Sequence, residues 1–326
     1  MNKTPDELEF FMEDLIKRFL SGDRRALARL ISLIENEADG AIKLLDKVYY
    51  RTGNGYRIGI TGPPGAGKST LVNQLTKIYR QEKRTVGIIA VDPTSPFTGG
   101  ALLGDRIRMS DLATDPGVFI RSMATRGSLG GLAQRAQEAA DLLDAFGLDI
   151  IIFETVGVGQ SELDIVEAAD STVVVLVPES GDSIQAMKAG LMEIADVFAV
   201  NKSDREGADR VLMELNYVLD LGKHKRAWNP PIVKTVANSG EGMAALAAEI
   251  QNHINFQDKT RSWAEKRRKR IENYVRQIIK ARLLEKFWQP QLEAHLLERI
   301  RLIIDKKISP YSVSEELLDS FRNNWI

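Results

Sequence analysis

The eight residues 62–69, which read Gly-Pro-Pro-Gly-Ala-Gly-Lys-Ser, are the feature that most narrows what this chain can fold into. They match the pattern G-x-x-x-x-G-K-[ST] in full and stand between an apolar run, Ile58–Thr61, and an amphipathic run, Ser69–Tyr79. The spacing predicts a strand, a glycine-rich loop and a helix whose amino end directs backbone N–H groups at an anion. The alternative is a plain tight turn between a strand and a helix, which the exact spacing and this context disfavour.

This loop is predicted to hold the phosphates of a nucleotide. Lys68 would reach the β- and γ-phosphates, and the hydroxyl of Ser69 would join the coordination of Mg²⁺. Because Lys68 offsets charge that grows as the transition state forms, we also expect it to be catalytic. The predicted nucleotide contacts in this segment are Gly62, Pro64, Gly65, Ala66, Gly67, Lys68, Ser69 and Thr70.

Short apolar runs alternate with longer amphipathic runs through the middle of the chain. This alternation predicts an α/β fold, in which helices flank a mostly parallel sheet with right-handed crossovers. The apolar runs are nearly continuous, as in strands that are buried on both faces. The predicted strands are Arg57–Thr61, Val86–Val91, Val118–Ser122, Ile150–Glu154, Thr172–Val177, Val197–Val200 and Ile232–Val236.

The spacing of apolar residues differs between three regions of the chain. We predict a helical region at 1–54, a nucleotide-binding α/β domain at 55–255 and a helical arm at 256–326. Residues 259–286 carry 11 Lys and Arg against three Glu, a local charge of +8. Apolar residues such as Trp263, Ile271 and Val275 lie among these charges. We expect the arm to pack against a second chain, with a solvated face or packing on its own domain as the alternatives.

Composition excludes several classes of protein. The 326 residues include 44 Lys and Arg against 45 Asp and Glu, so a strongly basic nucleic-acid binder is excluded. The chain has no cysteine, which excludes disulfides, thiolate metal sites and cysteine nucleophiles. Acidic residues near the start and apolar runs far shorter than the roughly 20 residues that span a bilayer predict a soluble, cytoplasmic protein, with the mature form of an organellar protein as the alternative.

The segment Asn201-Lys202-Ser203-Asp204 follows a late apolar strand and has the N-K-x-D pattern that reads guanine. The carboxylate of Asp204 accepts from guanine N1–H and from the 2-amino group, and adenine lacks this pair of donors. Two charge-assisted hydrogen bonds of roughly 1.5–3 kcal/mol each predict a preference for GTP on the order of 10²–10⁴-fold. Asn201, Lys202 and Asp204 are therefore predicted nucleotide contacts, together with Ala237 and Asn238, whose segment would offer a backbone N–H to guanine O6.

Three acids, Asp92, Asp105 and Glu154, are candidates for Mg²⁺ and for positioning the attacking water. Asp92 and Glu154 end predicted strands, and ligands bind where parallel strands end in open α/β sheets. Helix caps or surface acids are the alternative reading of each. Glycines beside these acids, such as Gly104 and Gly157, suit loops that reorder when the γ-phosphate leaves.

Seven segments together resemble the MeaB/ArgK/MMAA family, which are GTPase chaperones of adenosylcobalamin-dependent methylmalonyl-CoA mutase. The likeness runs from about residue 10 to residue 310, and the blocks that begin at Val91 and Glu154 are more specific than the glycine-rich loop. The segments are Gly62–Ser69, Val91–Pro96, Gly104–Met109, Arg121–Gly127, Glu154–Glu162, Lys188–Asp196 and Asn201–Asp204.

The resemblance implies slow, Mg²⁺-dependent GTP hydrolysis that the mutase stimulates, and control of adenosylcobalamin loading without direct binding of cobalamin. It also implies a homodimer held by the C-terminal arm. It places Asp92, Asp105 and Glu154 in the Mg²⁺ and hydrolysis region. The switch residues that it implies are Arg108, Gly157, Gln160, Asp182 and Lys188. The loop 178–188 departs from many relatives in having Glu179 where they have glycine.

Other functions stay open from the residues alone. A metal-delivery GTPase would need Cys and His clusters, whereas this chain has no Cys and three scattered His. A chaperone of a related acyl-CoA mutase has the same motifs, and a nucleic-acid-binding GTPase would use the basic arm. The guanine pattern argues against a transport ATPase, a name that some relatives carry. Arginines predicted to lie in loops near the strand ends, among them Arg121, would let the chain order its own catalytic cation.

Overall fold

The computed structural model describes residues 5–38, 40–92, 111–124, 131–155, 168–178, 191–222 and 227–323. The chain divides into two compact units, residues 1–270 and residues 271–326. The first unit contains a β-sheet with helices on both faces, and the second is helical. No helix of the described ranges is both long enough and apolar enough to span a membrane.

The sheet of the first unit has seven strands within the described residues, and all of its neighbouring strands run parallel. The strands are β1 Tyr56–Thr61, β2 Val86–Asp92, β3 Val118–Ala124, β4 Ile150–Thr155, β5 Ser171–Leu176, β6 Val197–Asn201 and β7 Ile232–Thr235. The order β3-β2-β4-β1-β5-β6-β7 puts β1, which leads into the glycine-rich loop, at the centre. The predicted fold class is confirmed.

Helices cover both faces of the sheet. The helices of this unit are α1 Pro5–Leu20, α2 Arg24–Glu35, α3 Ala41–Val48, α4 Lys68–Gln81, α5 Gly131–Phe146, α6 Leu191–Ile194, α7 Ala208–Gly222 and α8 Met243–Thr260. One face packs against α1, α2, α3 and α5 through residues such as Phe19, Leu27 and Phe153, and the other packs against α4 and α8 through residues such as Leu71 and Leu246.

Local chemistry explains where α2 begins and which face it buries. The Asp23 carboxylate accepts from the backbone N–H of Arg25 at 2.7 Å and of Ala26 at 3.3 Å, which satisfies two donors at the helix start. Leu27 and Ile31, four residues apart, are both fully buried. The guanidinium of Arg24 donates to backbone carbonyls at the start of β3, and these bonds fix α2 against the edge strand.

A cluster of buried charged side chains lies where the parallel strands begin, which we call the amino edge of the sheet. The carboxylate of Asp170, just before β5, accepts from Arg270 at 3.0 Å and Arg267 at 3.2 Å, both in the first turns of α9 (Ser262–Phe287). It also accepts from the backbone N–H of Arg57 at 3.0 Å. Burial alone would raise the pKa of Asp170, but Arg270, Arg267 and Arg57 outweigh burial and hold that pKa below its ordinary value. The cluster attaches the start of α9 to the sheet.

A second carboxylate secures the turn that precedes β1. Asp144 of α5 accepts from the backbone N–H groups of Gly53 and Gly55, each at 2.8 Å, and of Asn54 at 3.1 Å. The guanidinium of Arg57 lies 2.6 Å from the carboxylate of the neighbouring Asp141. The buried arginine of β1 therefore has its opposite charge on α5.

A chain of polar side chains completes this edge. The Tyr56 hydroxyl donates to Gln257 at 2.9 Å, and the Ser171 hydroxyl lies 2.5 Å from Nδ1 of His253. Nε2 of His253 faces the Asp196 carboxylate at 3.4 Å. Burial lowers the pKa of His253, and Asp196 offsets only part of that effect, so the ring is neutral at neutral pH.

The second unit is formed by the later part of α9 with α10 (Pro290–Ile304) and α11 (Pro310–Asn323). Leu292, Val313 and Leu317 form its small core. Large apolar side chains on α9 are exposed to solvent, including Ile271, Val275, Ile279 and Leu283.

Candidate nucleotide site

The glycine-rich loop links the centre of the sheet to α4. Gly62 has a φ of 142°, and a Cβ there would collide with the backbone carbonyl of Val175 in the neighbouring strand. Gly67 has a φ of 86°, and a Cβ there would lie 2.5 Å from the Asn201 side chain. Both positions need glycine, because they combine left-handed backbone with a close approach that a side chain would block.

Lys68, the first residue of α4, is folded back over this loop. Its side chain is buried, with the residue 5% exposed. Nζ donates to the carbonyl of Gly62 at 2.6 Å and to that of Pro63 at 2.9 Å. The ammonium group is thus fixed at the mouth of the loop, at the amino end of a helix where phosphate groups bind.

Ser69 and Glu154 meet beside the loop. The Ser69 hydroxyl donates to the Glu154 carboxylate, which lies near the end of β4 and is buried. A hydroxyl and a carboxylate are the hard oxygen donors that Mg²⁺ prefers, so this pair fits a magnesium site. Asp92, the last residue of β2, lies opposite Ala124 in the sheet, close in register to this pair.

Asn201 joins the phosphate loop to the segment predicted to hold the base. It is 2% exposed, and its Nδ2 donates to the Ala66 carbonyl at 2.8 Å. Its Oδ1 accepts from the backbone N–H of Ala237 at 3.0 Å and from the Thr235 hydroxyl at 3.2 Å. One buried amide therefore holds three segments of the site together.

The segment after β6 is held open toward solvent. Lys202 has a φ of 56°, and the N–H and hydroxyl of Ser203 donate to the Thr235 carbonyl at 3.1 Å and 3.2 Å. Asp204 follows with an exposed side chain. The backbone is thus tied to β7, and the carboxylate is left accessible to a ligand.

Several predicted residues cannot be placed. Asp105, Arg108, Gly157, Gln160, Asp182 and Lys188 lie outside the described residues. For Asp92 only the backbone is described.

Arg121 was predicted to lie in a loop, and this prediction is wrong. It lies within β3, and its guanidinium donates to the Glu35 carboxylate and, at 3.1 Å, to the Ser32 hydroxyl of α2. Strand β3 continues two residues beyond its predicted end at Ser122. Arg121 therefore ties the N-terminal helices to the sheet.

Sequence reasoning missed Thr235 as a residue of the site. It is fully buried and lies opposite Asn201 in the register of β6 and β7. Aligning the two predicted strands from their carboxyl ends could have suggested this pairing. Even with this pairing, nothing in the sequence would distinguish Thr235 from an ordinary threonine of a strand.

The model of a family described as Methylmalonyl Co-A mutase-associated GTPase MeaB matches residues 27–291. The chain belongs to this family. A protein of Pyrococcus abyssi that carries the name GTPase is 53% identical over 310 residues, which cover 94% of this chain and 96% of that protein. The resemblance to the MeaB/ArgK/MMAA family is thereby confirmed, and membership supports GTPase activity.

Two further similarities reach most of the chain. The mouse protein named Methylmalonic aciduria type A homolog, mitochondrial, is 31% identical over 337 residues, covering 98% of this chain and 81% of its own length. A crystal structure described as LAO/AO transport system kinase matches with a TM-score of 0.72 and 26% identity, covering 96% of this chain and 98% of that one. Both agree with the fold and with the family.

Proposed function

We propose that this chain is a Mg²⁺-dependent GTPase that acts as a chaperone of adenosylcobalamin-dependent methylmalonyl-CoA mutase. In this role it gates the loading of intact cofactor and protects or reactivates the mutase. The family description, which names a mutase-associated GTPase, supports the partner. We further propose that it works in the cytoplasm as a homodimer and does not itself bind cobalamin.

The observation that carries the nucleotide assignment is the position of Asn201. Its amide contacts Ala66 of the phosphate loop and Ala237 of the turn after β7, so the two halves of a nucleotide site lie together. Asp204, three residues later, presents an exposed carboxylate. A carboxylate in this place selects guanine, because it would be left poorly paired against adenine.

The residues of the chain then take distinct roles. Backbone N–H groups of the loop bind phosphate oxygens, and Lys68 exchanges its two carbonyl partners for the β- and γ-phosphates. Ser69 and Glu154 would hold Mg²⁺, with Asp92 and Asp105 as further proposed acids. When bound, the ion neutralises charge on the phosphate oxygens. Which acid positions the attacking water is decided by substitution of each in turn.

Nucleotide choice is tested by calorimetry of GDP and ADP binding in the presence of Mg²⁺. We expect a preference for GDP on the order of 10²–10⁴-fold, and Asp204→Asn should remove most of it. Glu206→Gln, which neutralises another exposed carboxylate two residues later, is the matched control and should keep the preference. Equal affinities for GDP and ADP in the unaltered chain would contradict the guanine assignment.

The partner is tested by turnover with and without purified methylmalonyl-CoA mutase. We expect stimulation by the mutase, and Lys188→Ala should keep basal hydrolysis while losing the stimulation. Related acyl-CoA mutases in parallel reactions identify which enzyme is served. Stimulation by none of them would contradict the chaperone proposal, whereas GTP turnover alone would still support the GTPase.

The homodimer is proposed from the exposed apolar residues of α9. Ile271, Val275, Ile279 and Leu283 repeat at four-residue intervals and are 44–52% exposed. A stripe of this kind is typical of a helix that packs against another chain. Sedimentation of the full-length chain and of Ile279→Glu tests this, with exposed Lys280→Glu as the control. A monomer at high micromolar concentration would contradict the dimer.

A further inference from the structure

The hydroxyl of Ser122 in β3 is buried without a hydrogen-bond partner. The residue is 6% exposed, and no atom of the described residues lies within hydrogen-bonding distance of its Oγ. Buried hydroxyls in native proteins normally have a partner, and an orphaned one costs stability. An alanine would fill this place at no such cost, so the hydroxyl calls for a physical reason.

The register of the sheet puts Ser122 in one row with the acid of the candidate site. Ser122 lies opposite Ala90 of β2, and Ala90 lies opposite Glu154 of β4. Every second residue shares a face of a strand, and Ile120, Ile88 and Ile152 all pack on the face that α4 covers. The three residues of the row therefore share the α4 face.

Spacing limits what can join the two polar groups. Neighbouring strands lie about 4.8 Å apart, so the Cα atoms of Ser122 and Glu154 are about 9.6 Å apart. Only the methyl group of Ala90 stands between them in the row. A hydroxyl and a carboxylate at this separation are too far apart for a direct bond, and a short chain of water molecules can join them.

We propose that Ser122 is a positioning residue of the nucleotide site, whose hydroxyl orients water that belongs to the Mg²⁺ site held by Ser69 and Glu154. This inference rests on the proposed function, because it presumes that guanine nucleotide binds with Mg²⁺. The hydroxyl acts through water and touches neither the nucleotide nor the ion. Outer partners of this kind typically change metal affinity by 10–100-fold when removed.

The chain supplies a matched control for the loss of a buried hydroxyl. Thr172 of β5 is also buried, and its Oγ1 likewise has no hydrogen-bond partner among the described residues. Thr172 is the second residue of β5 and lies two strands from Glu154, one residue out of its row, so its side chain is on the opposite face of the sheet. Thr172→Val and Ser122→Ala each remove one orphaned hydroxyl, and only the second removes it on the α4 face, where the site lies.

The test is a Mg²⁺ titration of GDP binding, followed by calorimetry, with thermal melting of each protein alongside. We expect Ser122→Ala to need about 10-fold more Mg²⁺ for half-maximal binding, while it melts no lower than the unaltered chain. Thr172→Val should melt similarly and keep the original Mg²⁺ requirement. Ser122→Thr, which retains the hydroxyl, should restore the Mg²⁺ requirement of the unaltered chain.

An unchanged Mg²⁺ requirement in Ser122→Ala would overturn the assignment, because the serine would then only fill space. A Mg²⁺ requirement that rises equally in Thr172→Val would overturn it too, since the effect would be a general one. The proposed function fails separately, if the unaltered chain shows no Mg²⁺-dependent binding of guanine nucleotide.

Discussion

The parallel strands begin at one edge of the sheet (the amino edge) and end at the other (the carboxyl edge), and charged side chains have different partners at the two. At the amino edge, Asp170 is buried against Arg267 and Arg270, and Arg57 against Asp141. At the carboxyl edge, Lys68 is held by neutral backbone carbonyls, and Asp204 is exposed. Charges matched to opposite charges fix architecture, because exchanging either partner leaves a buried ion. The carbonyl bonds of Lys68 can be exchanged for bonds to phosphate, and the exposed carboxylate of Asp204 is accessible to a base.

The largest effect on stability is expected from Asp170→Asn. The substitution keeps the shape but leaves Arg267 and Arg270 without their shared counter-charge. Breaking a buried ion pair costs about 3–5 kcal/mol in free energy of unfolding, which urea denaturation measures. GDP affinity at low temperature should stay the same.

The matching change at the other edge is Asp204→Asn. It should alter the free energy of unfolding by no more than about 0.5 kcal/mol, as for an ordinary surface substitution, while guanine affinity falls. If Asp170→Asn proved as stable as the unaltered chain, the amino-edge cluster would have no architectural role.

The next effect is on catalysis, from Lys68→Ala. Loss of one fixed group that stabilises transition-state charge lowers turnover by about 10²–10³-fold. The free energy of unfolding should change little, because Nζ donates to loop carbonyls and supports no apolar core. Single-turnover hydrolysis of GTP measures the first quantity and urea denaturation the second.

Lys266→Ala is the corresponding substitution at the amino edge, because it also removes a lysine that donates to a backbone carbonyl. Lys266 donates to the Asp170 carbonyl at 2.9 Å and faces Asp196 at 3.2 Å. Its loss should lower the free energy of unfolding by about 1 kcal/mol and leave turnover intact. Reduced turnover in Lys266→Ala would show that the two edges are coupled.

Asn201→Ala tests whether one residue of the carboxyl edge can affect both stability and nucleotide binding. Asn201 belongs to the carboxyl edge, yet it is buried and makes three side-chain hydrogen bonds within the protein, like a residue of the amino edge. We expect it to lower the free energy of unfolding by about 2 kcal/mol and GDP affinity by at least 10-fold. Thr235→Val removes one of these bonds and should have about half the effect on stability. A loss of affinity with unchanged stability would return Asn201 to a purely ligand-facing role.

The smallest effect is the pH dependence of stability that His253 contributes. Because its pKa is lowered in the folded chain, the unfolded chain takes up a proton first as pH falls below the ordinary value of 6.5. Stability present above pH 6.5 is therefore lost on acidification, at no more than about 1.4 kcal/mol per pH unit. The lowered pKa of Asp170 confines its own loss to pH values below about 3.8. His253→Gln should flatten the stability profile between pH 5 and 6.5, and an unchanged slope would place the titrating group elsewhere.

The sequence predicted the sheet well, because each strand is an apolar run between turn residues. The seven strands lie where predicted, with β3 longer by two residues at its carboxyl end. Their order could not be predicted, since parallel strands pair through contacts between distant segments. Glycine spacing at 62–67 predicted the loop for a local reason, because the loop and the helix that follows it are continuous in sequence.

The amino-edge cluster was beyond sequence reasoning. Arg267 and Arg270 stand in a basic run and read as part of a solvated or self-associating face. Their partner Asp170 is about 100 residues away, and only the fold brings the charges together. The prediction for Arg121 was wrong for the same reason, because its partner Glu35 lies in a helix 86 residues earlier in the chain.

The central position of β1 also affects how the protein is made. Its neighbours β4 and β5 follow it by about 90 and 110 residues in the chain, and Asn201 follows the glycine-rich loop by about 130 residues. At about 5–20 residues per second, a ribosome needs roughly 7–26 s to pass from Ser69 to Asn201. In the first part of that time, before Ile150–Thr155 is made, β1 has neither of its partner strands, and the base segment is missing throughout. Guanine nucleotide therefore cannot assist the earliest folding of this protein, and can only stabilise a sheet that has already closed around the loop.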